Sequence, residues 1–179
     1  LKHCQFKLII CIAPLLVSVD NLLKRVMPFI PEYKHLLVDS DSDAGGTTDL
    51  LEISNFLKND DTHKIIFSTF NSAKNILAQL TDLNIPDEDW CIVVDEVHNM
   101  LNIDQLSTLI NSFNNALLLS ATIPEELYDV VDAKECYSFT MDRAIANGYA
   151  CDYRIYLPYM NEDKHPEYNI PKELSDFQD

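Results

Sequence analysis

Glycine is scarce in this chain. Only three occur in 179 residues, at Gly45, Gly46 and Gly148. No Gly-x-x-x-x-Gly-Lys-Ser/Thr run can be built from them, so a phosphate-binding loop of that type is excluded within the chain. Positive charge is also scarce: 13 Lys and Arg stand against 29 Asp and Glu, a net charge of −16. Such a chain does not hold nucleic acid by general attraction, and any contact must come from a local patch or aimed backbone N–H groups. Long apolar runs are absent too. The stretch 8–19 is interrupted by Pro14 and Ser18 and is too short to span a bilayer, and it carries no signal-peptide cleavage pattern. The five cysteines, at 4, 11, 91, 136 and 151, are dispersed, and no two have metal-ligand spacing. An odd, scattered set predicts free thiols in a reducing interior, cytoplasm or nucleus.

What is present is globular. Apolar residues make up 47% of the chain, enough for one domain with a substantial core. Short apolar runs alternate with amphipathic stretches. Residues 7–13, 35–38, 64–67, 90–94 and 116–119 read as strands, the first as one buried on both faces. Between them, apolar residues at helical spacing predict helices: Val19, Leu22, Leu23 and Val26, stopped at Pro28; Leu50 to Leu57, capped by Thr47 or Thr48; Ala73 to Leu80, capped by Ser72. A helix through Ile103, Leu106, Ile110 and Phe113 follows the fourth strand, and one at 125–131, entered through Pro124, follows the fifth. Gly45, Gly46 and Thr47 read as a turn and helix cap.

Five β-then-α units in series imply a doubly wound α/β fold with a parallel sheet and helices on both faces. Beyond them, 136–139 reads as a strand, and 141–147 as a short helix with Gly148 at its C′ position. Residues 152–157 read as a further strand. The polar, proline-bearing stretch 158–179 reads as an acidic linker or the start of a next region.

Ligands of such sheets bind outside the carboxyl ends of the strands. The fourth strand ends in Asp95, Glu96, Val97 and His98, and the fifth in Ser120, Ala121 and Thr122. Two acids directly after an apolar run are costly unless they serve a ligand, although acids also suit helix N-termini. At this position the first can hold Mg²⁺ through water and the second can orient and deprotonate an attacking water. The hydroxyls one βα unit later can hydrogen-bond that acidic segment.

VVDEVHNM at 93–100 and LLLSATIP at 117–124 resemble motifs II and III of superfamily 2 helicases, in the DEVH variant. IAPLLVSVDN at 12–21 resembles motif Ia, STFNS at 68–72 motif Ib, and AIANGYACDY at 144–153 the segment that closes the first motor domain. The texture is most similar to helicases of nucleocytoplasmic large DNA viruses. The resemblance implies a RecA-like, P-loop-type fold, incomplete at its N-terminus, over residues 1–157. It implies an ATP-dependent helicase with ATP and Mg²⁺ as cofactors, in which Asp95 is the metal carboxylate and Glu96 positions the hydrolytic water. His98, Ser120 and Thr122 would couple hydrolysis to movement, and Pro14, Thr69 and Ser72 would lie along the nucleic-acid track. The implied partners are nucleic acid, DNA in preference to RNA, and a second RecA-like domain, with no membrane. Leu15 and Leu16 stand where the family often has basic or polar residues. Motif Ia lies close to Leu1, and the Walker A loop that precedes it in the family is not in the chain. The expectation is therefore a fragment that hydrolyses ATP negligibly and leaves a sheet edge open. The rival expectation is a degenerate, non-enzymatic module that binds nucleic acid or a partner protein.

Overall fold

A computed structural model describes residues 6–40, 45–59, 63–83, 89–102, 104–130 and 137–152. The chain divides into two compact units, residues 1–134 and 135–179, each taken by itself. In the first, the order is β1 (Leu8–Ala13), α1 (Leu16–Val26), β2 (Lys34–Val38), α2 (Leu50–Lys58), β3 (Lys64–Thr69), α3 (Ala73–Leu83), β4 (Trp90–Val94), α4 (Asp104–Asn111), β5 (Ala116–Leu118) and α5 (Glu126–Val130). Every strand pairing is parallel, and the sheet order is β2-β3-β1-β4-β5. From β1 the chain crosses to the edge strand β2, returns to place β3 between them, then crosses to the other side of β1 to add β4 and β5 in turn. That reversal sets the crevice at the carboxyl ends of β1 and its neighbours.

Alternation along the central strands sorts the core into two layers. Leu8, Ile10 and Ile12 of β1, Ile66 of β3 and Trp90, Ile92 and Val94 of β4 pack with Ile53 and Leu57 of α2, Ile76 and Leu80 of α3, and Leu109 and Ile110 of α4. Ile9, Cys11 and Ala13 of β1 and Ile65 and Phe67 of β3 pack on the other face with Val19 of α1, joined by the half-buried Leu22, Leu23 and Val26. Two-sided burial is why β1 reads as a continuous apolar run. Each such side chain stabilises by about 1.5–3 kcal/mol relative to an exposed one.

The local chemistry differs from the sequence expectation in several places. Asp49, not Thr47 or Thr48, caps α2: its carboxylate accepts from the Leu51 N–H at 2.9 Å. Thr47 acts one step earlier, its hydroxyl oxygen accepting from the Asp49 N–H at 3.1 Å. Gly45 takes φ +84° in the preceding turn, a conformation a side chain would strain. At the other end of α2, the buried Lys64 ammonium donates to the Leu57 carbonyl at 2.6 Å, a cation on the negative end of the helix. Pro28 does not end the chain's turning at once, because Met27–Phe29 continues as a 3₁₀ turn. β3 runs on through Ser68 and Thr69, where the Ser68 hydroxyl donates to the Val38 carbonyl of β2 at 2.9 Å. Val97–Asn102 is 3₁₀ rather than α-helix, and Phe113 lies buried just beyond α4.

In the second unit, α6 (Met141–Ala146) is capped by Thr140 and closed by Gly148 at φ +74°. The Gly148 N–H donates to Ile145 O and the Tyr149 N–H to Ala144 O, the paired bonds of a Schellman closure. Tyr137, Ser138 and Phe139 form no strand, contrary to expectation. The readings placed at Cys136, at 153–157 and at 158–179 lie outside the described residues. Among the described residues no helix is long and apolar enough to cross a membrane. The outer edge of β5 pairs with no described strand, and Leu117 on it is 51% exposed.

Cys11 and Cys91 are buried on adjacent strands, whereas Cys151 is exposed. Burial, and then the neighbouring Cys91, push the Cys11 thiol from 9.0 up to about 12. The folded chain therefore holds that proton where the unfolded chain has lost it, so stability falls as pH rises above about 9. Alkylation at pH 8 followed by peptide mapping is expected to modify Cys151 first. The Cys11 peptide should react only under denaturing conditions, and its early labelling in the native chain would contradict this packing.

Candidate functional site

Parallel pairing in register sets Val93 beside Leu117 and Val94 beside Leu118. The segments that follow, 95–98 and 120–122, therefore leave the sheet at one rim. Three backbone bonds extend the pairing into them: Leu119 N–H to Val94 O at 2.8 Å, Val97 N–H to Leu119 O at 3.0 Å, and Asp95 N–H to Ile12 O of β1 at 2.8 Å. The acidic segment is thus pinned to both neighbouring strands.

Within that frame the chain turns sharply. Asp95 accepts the Glu96 N–H on Oδ1 at 3.0 Å, and Glu96 takes φ +51°. A non-glycine residue in the left-handed region costs on the order of 1 kcal/mol, and such positions cluster where function requires them. The Glu96 side chain is 43% exposed, yet its Oε2 is covered and has no hydrogen-bond partner. His98 Nδ1 lies 3.4 Å from it. A covered acceptor without a partner is costly for a carboxylate.

The proton positions at the rim follow from the network. Ser120 Oγ lies in hydrogen-bond contact with the Thr122 carbonyl, which has no proton of its own, so the hydroxyl donates there. Its oxygen then accepts from the Thr122 N–H at 3.2 Å and from His98 Nδ1 at 2.7 Å. The network assigns the proton to Nδ1 of His98. That proton points to Ser120, and Nε2 has no partner among the described residues.

The structure thus brings Glu96, His98 and Ser120 into one cluster, with Asp95 at its base. Thr122 enters through its backbone, and its exposed hydroxyl stands apart. Asp95 keeps Oδ2 out of the turn hydrogen bond and is half-buried, which fits a single carboxylate on a hydrated magnesium ion. Among the described residues no group of three or more His, Cys, Asp or Glu is arranged around a metal position, so phosphate and water would complete the coordination.

Pro14, Thr69 and Ser72 lie at the ends of β1 and β3, along the same rim from the cluster. Thr69 and Ser72 are only 8% and 7% exposed, with their hydroxyls below the surface, and Pro14 is half-buried. The exposed polar groups there are Asn71 and Asn99, which line an open cleft of about 370 Å³ with Pro14, Leu15 and Phe70. Both asparagines sit inside the singled-out segments STFNS and VHNM. Their polarity at strand ends was the available signal.

A family model for the type III restriction enzyme, res subunit, matches residues 6–125, well over half of the chain. The chain belongs to this family. It is a superfamily 2 helicase-like domain, and its five-stranded parallel sheet is the RecA-like arrangement expected of one. The family is of the ATP-dependent helicase type and generally uses ATP and Mg²⁺. No curated protein sequence matches the chain.

In this helicase-like domain the strained turn at Glu96 costs stability. Glu96→Gly is expected to keep or raise the melting temperature, by up to about 1 kcal/mol of stability, because glycine accepts the left-handed conformation and the covered carboxylate is removed. A fall of several degrees in a thermal melt would show that the turn is not strained.

Proposed function

We propose that the chain supplies the metal- and water-handling part of an ATP-driven nucleic-acid helicase or translocase, in the DEVH variant and of the kind found in large DNA viruses. The observation that carries this reading is the joined Glu96–His98–Ser120 cluster at one rim. Bound Mg²⁺-ATP would supply the scissile phosphoanhydride and the charge neutralisation that its cleavage needs. Asp95 Oδ2 holds the hydrated metal. Glu96, held on the left-handed turn, would orient a water and accept its proton on its carboxylate. His98, held by the Nδ1 proton on Ser120, presents Nε2 outward, toward the second RecA-like domain of a complete motor.

Ser120 ties this arrangement to the segment 120–122. A movement of His98 would therefore reach β5's exit loop through two hydrogen bonds, and Thr122 would move with it. Pro14 lies on the cleft, and Thr69 and Ser72 set the shape of its rim. The tracked strand, DNA in preference to RNA, would cross these strand ends. Free thiols at Cys11, Cys91 and Cys151 suit an intracellular setting, cytoplasm or nucleus.

Triphosphate binding draws on a Gly-rich loop and its Lys, which this sequence does not contain. The chain by itself is expected to hydrolyse ATP negligibly, with or without nucleic acid. In a polypeptide that joins it to such a loop and a second RecA-like domain, Glu96→Gln should lower turnover by roughly 100-fold or more. It should leave Mg²⁺-ATP binding in place. Robust nucleic-acid-stimulated turnover by the isolated chain, or a Glu96→Gln motor that turns over normally, would contradict the proposal.

A further inference from the structure

The cleft beside the cluster has a lining that ordinary backbone tracking does not explain. Five residues form it, Pro14, Leu15, Phe70, Asn71 and Asn99, and none is charged. At about 370 Å³ it falls within the range of clefts that hold small organic groups. Of its lining, Phe70 is buried, Pro14 half-buried and Leu15 exposed, and two exposed asparagines join them, Asn71 just after β3 and Asn99 in the 3₁₀ segment that follows β4. Neither carboxamide makes a side-chain hydrogen bond among the described residues, so both are available to a ligand.

We propose that this cleft seats an unpaired nucleobase of the bound strand, with the Asn71 and Asn99 carboxamides reading its edge. The inference rests on the proposed nucleic-acid track and makes its contact base-dependent. A phosphate in this cleft would lose water with no Lys or Arg to replace it, in a chain already strongly negative. A base presents apolar faces and a polar edge, which is the division the lining offers. Each asparagine carries a donor and an acceptor in one plane, the pairing that matches adenine N6 and N7. The cleft opens at the carboxyl ends of β1 and β3, on the rim that also carries the acidic cluster, so a base seated there would lie close to the nucleotide site.

Fluorescence anisotropy on the chain as it exists tests this with three labelled oligonucleotides of equal length: oligodeoxyadenylate, oligodeoxythymidylate and an abasic backbone. The expected result is tightest binding of the adenylate strand, by about five-fold or more over thymidylate and by more over the abasic strand. Binding should also have a shallow salt dependence, because few counterions are released. Asn71→Ala and Asn99→Ala should each shrink the adenylate advantage and leave abasic binding unchanged. Asn71→Leu, which keeps the approximate shape and removes donor and acceptor without adding charge, should do the same in a chain whose melting temperature is unaltered. Equal binding of adenylate and abasic strands, or variants that weaken all three strands alike, would overturn the base-reading cleft and leave the track standing. Binding of none of the three would overturn both.

Discussion

The His98–Ser120 hydrogen bond is the interaction on which the site depends, and it exists because β4 and β5 pair in parallel and in register. Parallel strands deliver their carboxyl ends to one side. Register places position 94 beside 118, so the acids and the hydroxyl arrive level with each other. An antiparallel pairing, or a slip of one residue, would separate Glu96 from Ser120 and turn alternate side chains to the opposite face. Most of the sheet serves this alignment: β1 and β3, buried on both faces, fix the centre from which β4 and β5 are hung.

A second constraint is the turn at Asp95 and Glu96. Backbone bonds to Ile12 on one side and Leu119 on the other hold the segment between two strands, and Glu96 is driven into the left-handed region. The energy for that conformation comes from the surrounding ladder rather than from the turn itself. Strain, a covered carboxylate oxygen and a half-buried acid coincide on two consecutive residues. A purely structural strand end would use Gly or Asn here. The family match extends across these residues.

Much of the fold was legible because two-sided burial writes itself as uninterrupted apolar runs. The β1 run and the Trp90–Val94 run are examples, and the helical spacing of Ile53, Leu57, Ile76 and Leu80 is equally direct. What escaped was chemistry decided by one hydrogen bond. Asp49 and Thr47 are both good caps, and only the backbone path shows that Asp49 meets the Leu51 N–H while Thr47 supports the turn before it. Ser68 and Thr69 look like loop residues, but the Ser68 bond to Val38 keeps β3 extended through them and buries Thr69. At the site, the acid pair and the Ser-Ala-Thr segment could be placed from sequence. The left-handed turn, the His98 bond to Ser120 and the carboxamides of the cleft could not, because each depends on which way a side chain leaves a tightly held backbone.

Nitrogen NMR of His98 in the folded chain tests the central claim most directly. The bond to Ser120 predicts an imidazole protonated on Nδ1, with that proton's signal shifted by hydrogen bonding and the shift lost in Ser120→Ala. An imidazole protonated on Nε2, with Nδ1 bare and unaffected by that substitution, would mean that His98 and Ser120 do not join the acidic segment to the loop after β5.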